Sequence, residues 1–173
     1  MHVKELQGLR FGEGLPKICV PLTGQGIPAL FSELQHVSAL PADLYEWRID
    51  CFFGDPALTL PSLREQLKDR PLLCTIRTRA EGGQAALSPE EYEERLTALL
   101  RAGGFAFVDI ELVCGEARAA RLAKLAKTRG ISVVMSKHDF EKTPSQQELA
   151  RTLLRMEELG ADLPKYAVMP HTP

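Results

Sequence analysis

Ionisable residues that could act together are gathered into four short strings of the 173-residue chain. They are Glu46-Trp47-Arg48-Ile49-Asp50; Thr75-Ile76-Arg77 followed by Glu81-Gly82-Gly83; Ser136-Lys137-His138-Asp139-Phe140 ahead of Thr143-Pro144; and Lys165-Tyr166-Ala167-Val168-Met169-Pro170. A neutral lysine amine attacks carbonyl carbon, a histidine takes and returns protons near neutral pH, and carboxylates and guanidinium groups orient or neutralise the participants. Each string also has a purely structural reading. Lys165 can be a solvated strand end, His138 a loop histidine bonded to backbone, Glu81-Gly82-Gly83 a turn, and Glu46 with Arg48 an ion pair.

The elements that must position these residues are legible as repeats. Apolar runs at Lys17 to Leu22, Leu44 to Phe53, Pro71 to Arg77, Phe105 to Val113, Ile131 to Ser136 and Lys165 to Met169 read as buried parallel strands. Their starts are 27, 27, 34, 26 and 34 residues apart, the length of one strand, one helix and two loops. Helix punctuation fills the gaps. Ser88-Pro89-Glu90-Glu91 caps a helix through Tyr92 to Arg101 that Gly103-Gly104 stops. Thr143-Pro144-Ser145-Gln146 repeats the pattern before Glu148 to Leu159, with Gly160 as its stop, and Gly130 ends Glu116 to Arg129. Pro28 and Pro61 are expected to open the two earlier helices, and Val3 to Gly14 reads as a small hairpin.

This βα repeat suits an open doubly wound sheet or a (β/α)8 TIM barrel of the α/β class. The charges choose. A side-chain period of two puts Glu46, Arg48 and Asp50 on one strand face, and Thr75 with Arg77 and Asp109 with Glu111 share that spacing. A sheet buried on both faces has no place for them, because an unpaired buried charge costs several kcal/mol, whereas a barrel lumen has a polar mouth. Asp50, Asp109 and Glu111 are read as lumen partners of the arginines. The chain is expected to form a single domain over residues 1–173.

Composition narrows the function classes. Lys plus Arg is 21 and Asp plus Glu 23, a net charge of −2, which gives no reason to expect nucleic acid or an anionic membrane as partner. No apolar run approaches the length of a membrane helix and the start is not a signal peptide, so a cytoplasmic location is expected. Cys19, Cys51, Cys74 and Cys114 lie at wide spacings with no paired His, and read as small buried hydrophobes with no metal site. His2, His36 and His171 carry no motif.

Taken together and in this order, the four strings resemble type I 3-dehydroquinate dehydratase, the Schiff-base lyase of the shikimate pathway and aromatic amino acid biosynthesis. The resemblance spans the Lys17 strand to Pro170. It implies that Lys165 condenses with the substrate ketone, that His138 is general acid and base, and that Glu81 orients His138. Glu46, Arg48 and Arg77 would bind the ring hydroxyls of 3-dehydroquinate. Conversion of the ketone to a protonated imine makes the adjacent proton acidic, and a desolvated lumen with Arg48 and Arg77 nearby would favour the neutral amine. No metal or organic cofactor is implied, and a homodimer is.

Against the family pattern the chain stops after the sixth strand. The expectation is therefore a C-terminally truncated barrel of about six βα units. Strands seven and eight would be missing, and with them the carboxylate-binding arginine and the serine and glutamine of the closing loops. Two other readings remain open at this point: a class I (Schiff-base) aldolase-like enzyme on the same architecture, and a non-catalytic barrel remnant serving as a binding or assembly module.

Overall fold

The computed structural model describes residues 3–170. His2 and His171, singled out in the sequence, lie outside them. The fold is α/β and TIM-barrel-like: an N-terminal hairpin precedes six parallel strands that form a partial barrel. The hairpin pairs β1 (Lys4–Leu6) antiparallel with β2 (Leu9–Phe11). Gln7 and Gly8 turn it, both at positive φ.

The sheet then runs in strict sequence order through β3 (Cys19–Leu22), β4 (Leu44–Arg48), β5 (Leu72–Thr75), β6 (Phe107–Glu111), β7 (Ser132–Asp139) and β8 (Leu163–Val168). All neighbouring pairs in it are parallel. Helices α1 (Ile27–Val37), α2 (Pro56–Leu67), α3 (Pro89–Ala102), α4 (Glu116–Thr128) and α5 (Gln146–Glu158) make the crossovers. Among the described residues, β3 and β8 border the sheet.

Period two divides the strand side chains between two cores. One face of the sheet sends Tyr45, Trp47, Cys74, Val108, Ile110, Val133 and Met135 against Leu30, Leu63, Leu96, Leu100, Leu122 and Met156 of the helices. The other face sends Leu44, Leu73, Phe107 and Val134 inward, where Leu6, Leu9 and Phe11 of the hairpin pack on them. The hairpin thus closes the apolar floor of the lumen. Further along each strand, toward its C-terminal end, the inward residues become Glu46 and Arg48, Thr75 and Arg77, Asp109 and Glu111, Ser136 and His138, and Lys165. Apolar and polar layers are thereby stacked along the lumen.

Caps fix where the helices begin. Ser88 and Glu91 form the expected reciprocal box at α3, which already starts at Pro89. Several expectations require correction. Pro61 lies inside α2, which opens instead at Pro56 with the Asp55 carboxylate accepting from the Ala57 amide. Ser145, not Thr143, caps α5. The second strand stops at Arg48 because Ile49–Cys51 coil into a 3-10 turn, so Asp50 sits beyond the strand. The fifth barrel strand extends to Asp139, which places His138 in the strand and not in a loop. Of the cysteines, Cys74 and Cys114 are buried, Cys51 is half-buried and Cys19 is exposed. Cys19 faces inward on an edge strand, with β4 on only one side of it.

Candidate active site

Lys165, the third residue of β8, lies in register with Ser136 of β7, and His138 lies in register with Ala167. This two-residue offset on neighbouring strands brings the two side chains together: Lys165 Nζ is 3.0 Å from His138 Nε2. On its other side the imidazole meets Glu81, whose Oε2 lies 2.7 Å from Nδ1 and also accepts the His138 backbone N–H at 2.7 Å. An ionised carboxylate offers only acceptors, so Nδ1 carries the proton and Nε2 presents its lone pair to the lysine amine. Glu81 is 5% exposed, whereas Lys165 is exposed. The desolvated lysine expected from the sequence is thus not what the described residues provide.

Glu81 reaches His138 from a 3-10 turn, Arg79–Glu81, between β5 and α3. The turn is closed by the Thr78 carbonyl, which accepts from the Glu81 and Gly83 amides at 3.0 and 2.8 Å. Its two glycines are structural requirements. A Cβ on Gly82 would sit 2.5 Å from the Phe140 ring, and one on Gly83 would sit 2.1 Å from the Arg77 carbonyl oxygen. Phe140 in turn lies parallel to His138, with ring centroids 5.9 Å apart and planes 9° apart.

The arginines divide into two environments. Arg48 is half-buried and grips Asp50 with Nε and Nη2 at 2.9 and 2.8 Å. Burial alone would raise the Asp50 carboxyl, but hydrogen bonds from Arg48 and from the Gln84 and Arg77 amides, together with the Arg48 charge, hold it below the usual aspartate range. Glu46 pairs with Thr75 Oγ1 at 2.7 Å, not with Arg48.

Arg77 is 5% exposed. Its Nη2 meets Asp109 at 2.9 Å, and its Nη1 meets both Glu111 and Ser136 at 2.9 Å. Asp109 and Glu111 are therefore partners of Arg77, and Asp50 is the partner of Arg48. The structure brings Lys165, His138 and Glu81 into one hydrogen-bonded line. Glu46 and Arg48 stand at the lumen, and Arg77 lies in an ionic cluster beneath the surface. Sequence reasoning missed Thr78; a hydroxyl residue directly after Arg77, at a strand end, was the available signal. Among the described residues, no group of three or more His, Cys, Asp or Glu is placed to hold a metal ion, and no helix is long and apolar enough to cross a membrane.

Residues 18–173 match the family described as type I 3-dehydroquinase. A 3-dehydroquinate dehydratase of Listeria monocytogenes serotype 4a (strain HCC23) is 44% identical over 176 residues, a span taking in 98% of this chain and 69% of the relative. That of Bacillus licheniformis is 41% identical over 174 residues, 97% of this chain and 68% of the relative. The crystal structure of type I 3-dehydroquinate dehydratase from Clostridium difficile with covalently modified comenic acid superposes with a TM-score of 0.91 at 34% identity. It covers 99% of this chain and 69% of that one. The chain spans about two thirds of the length of these relatives.

Proposed function

The chain belongs to the type I 3-dehydroquinase family, and on that footing we propose that Lys165, His138 and Glu81 carry out its chemistry as nucleophile, general acid and base, and orienting carboxylate. The enzyme is a hydro-lyase that removes water from 3-dehydroquinate to give 3-dehydroshikimate. Family membership takes the place of the aldolase-like reading. The observation that carries the assignment is the line from Glu81 Oε2 to His138 Nδ1 and from His138 Nε2 to Lys165 Nζ, at 2.7 and 3.0 Å.

The amine adds to the ketone carbon, its proton passing to the carbinolamine oxygen through solvent, which also supplies the proton that lets this oxygen leave as water. Loss of water from the carbinolamine leaves a protonated imine. Nε2 then takes the proton from the carbon next to the imine carbon. The freed electron pair forms the enamine double bond and moves charge onto nitrogen. When the enamine reverts to the imine, the hydroxyl one carbon further along leaves, and the imidazolium gives it the proton that makes it water. Hydrolysis of the imine frees the product and the lysine. Glu81, hydrogen-bonded to Nδ1, stabilises the imidazolium that forms between the two transfers.

Glu46 and Arg48 are assigned to the substrate hydroxyls, since both stand half-buried at the lumen with Thr75 and Asp50 fixing their orientation. Arg77, whose Nη atoms are engaged by Asp109, Glu111 and Ser136, contributes its charge to the same end of the cavity. The test is reduction with borohydride in the presence of 3-dehydroquinate, read by mass spectrometry. A covalent adduct on Lys165 is expected, and Lys165→Ala should abolish it. His138→Ala should retain capture while elimination falls by about 10²- to 10⁴-fold, the range for a positioned acid–base group. Equal loss of both steps in His138→Ala, or an adduct on another lysine, would refute the roles.

A further inference from the structure

We propose that Thr78, clamped by the buried Glu111 carboxylate, is a positioning residue for the acid–base pair. It fixes the turn that aims Glu81 at His138. The proposal rests on the reading of His138 and Lys165 given above and adds a residue that touches neither substrate nor the reacting atoms.

Glu111 is 0% exposed, and every hydrogen bond its carboxylate accepts comes from Arg77 or Thr78. Its Oε1 accepts from the Thr78 amide at 2.9 Å and from Arg77 Nη1 at 2.9 Å; its Oε2 accepts from Thr78 Oγ1 at 2.6 Å. Thr78 is thus held at both its main-chain and side-chain donors by one carboxylate. The Thr78 carbonyl is the acceptor for the Glu81 and Gly83 amides, so the same residue that Glu111 grips is the one from which the Glu81 turn springs. From Glu111 to Lys165 the path is continuous: carboxylate, Thr78, the turn, Glu81, the imidazole, the amine.

The rest of the cluster shows why the clamp is specific. Asp109 occupies Arg77 Nη2 and accepts from Ser136 Oγ at 2.6 Å, so it could neutralise Arg77 without Glu111. Glu111 contributes what Asp109 does not, namely a grip on the loop. Burial pushes the Glu111 carboxyl above the usual glutamate range, and the two Thr78 donors and the Arg77 charge act against that rise. Removal of the hydroxyl leaves Oε2 buried without a donor, and the local response is movement of the turn.

The test compares Thr78→Val, which keeps shape and amide but lacks the hydroxyl, with Thr78→Ser, which keeps the hydroxyl. Both are made in the full chain and again in the His138→Ala background. Elimination is followed by the ultraviolet absorbance of the conjugated product, and imine formation by borohydride capture. Thr78→Val should lower kcat about tenfold or more while capture on Lys165 keeps its parent rate, because only the proton transfer depends on aim. Thr78→Ser should restore kcat, and Thr78→Val should add no further loss once His138 is Ala.

A second readout needs no turnover. At pH about 8.5, above the ordinary imidazole range, the His138 ring nitrogens in a long-range proton–nitrogen spectrum should report the Nδ1–H form in the parent and a tautomer mixture in Thr78→Val. Glu111→Gln should behave as Thr78→Val does, and covers the case in which that variant does not fold. Equal loss of capture and elimination, the same fold-loss with and without His138, or an unchanged ring spectrum would overturn the proposal. If His138→Ala itself leaves elimination unaffected, the acid–base reading falls first and Thr78 has nothing to position.

Discussion

Gly83→Ala isolates the geometry of the active-site turn from its chemistry. The added methyl carbon would lie 2.1 Å from the Arg77 carbonyl oxygen and 2.5 Å from Arg77 C and Cβ, and it must retreat to at least 3.0 Å. Arg77 cannot give way easily: its side chain is tied to Asp109, Glu111 and Ser136, and its amide to Asp50. The turn must therefore move, by about 1 Å, and Glu81 lies two residues before the substitution. A displacement of that size carries the 2.7 Å contact between Glu81 Oε2 and His138 Nδ1 past hydrogen-bonding range.

A charge-assisted hydrogen bond contributes about 1.5–3 kcal/mol. If it is fully expressed in the transition state, its loss lowers kcat about 10- to 100-fold. The assay is steady-state elimination alongside borohydride capture, with Gly26→Ala as control. A methyl group at Gly26 meets only the Pro28 ring, at 4.0 Å. Gly83→Ala should capture substrate while eliminating slowly, and the control should stay within about twofold of the parent. A Gly83→Ala enzyme with parent-like kcat would refute the idea that this turn aims the base.

Other variants test other parts of the molecule. Asp50→Asn should cost about 2–3 kcal/mol at neutral pH in urea unfolding, because it removes the carboxylate that Arg48 and two backbone amides share. Since that carboxyl is held below its ordinary value of 3.8, the stability it contributes is present above that pH and is lost as pH falls further. The gap between parent and variant should close in acid, and a gap that persists would contradict the assignment. Phe11→Ala should destabilise by about 2 kcal/mol, less than a fully buried phenylalanine, through loss of its edge contact with Phe107. Thermal unfolding checks this, and activity per folded molecule should be unchanged. Ser88→Ala, which removes the α3 capping box, should cost about 1 kcal/mol by the same measurement.

Much of the architecture was legible because parallel strands and capped helices leave local signatures. The six apolar runs, the Ser88 box and the glycine stops are properties of a few adjacent residues. The inward placement of Glu46, Arg48, Asp109 and Glu111 followed from period two alone. What local pattern could not supply was pairing across the lumen. Glu46 and Arg48 are two residues apart on one strand face, yet each takes a different partner, Thr75 and Asp50, because the strand gives way to a 3-10 turn immediately after Arg48. The reach of β7 through His138 was hidden for a related reason. Its last residues, Lys137 to Asp139, are polar, and their strand geometry comes from pairing with β8, a contact 29 residues away in sequence. Pro61 misleads because a proline reads as a start signal, while the Asp55-Pro56 pair one turn and a half earlier already opens the helix.

A single oxygen of Glu81 binds both the main chain and the ring of His138. Fraying of the β7 terminus would release both contacts in one event. Loss of turnover on warming is then expected to precede melting of the sheet, and amide exchange at His138 would be the earliest sign of heat inactivation.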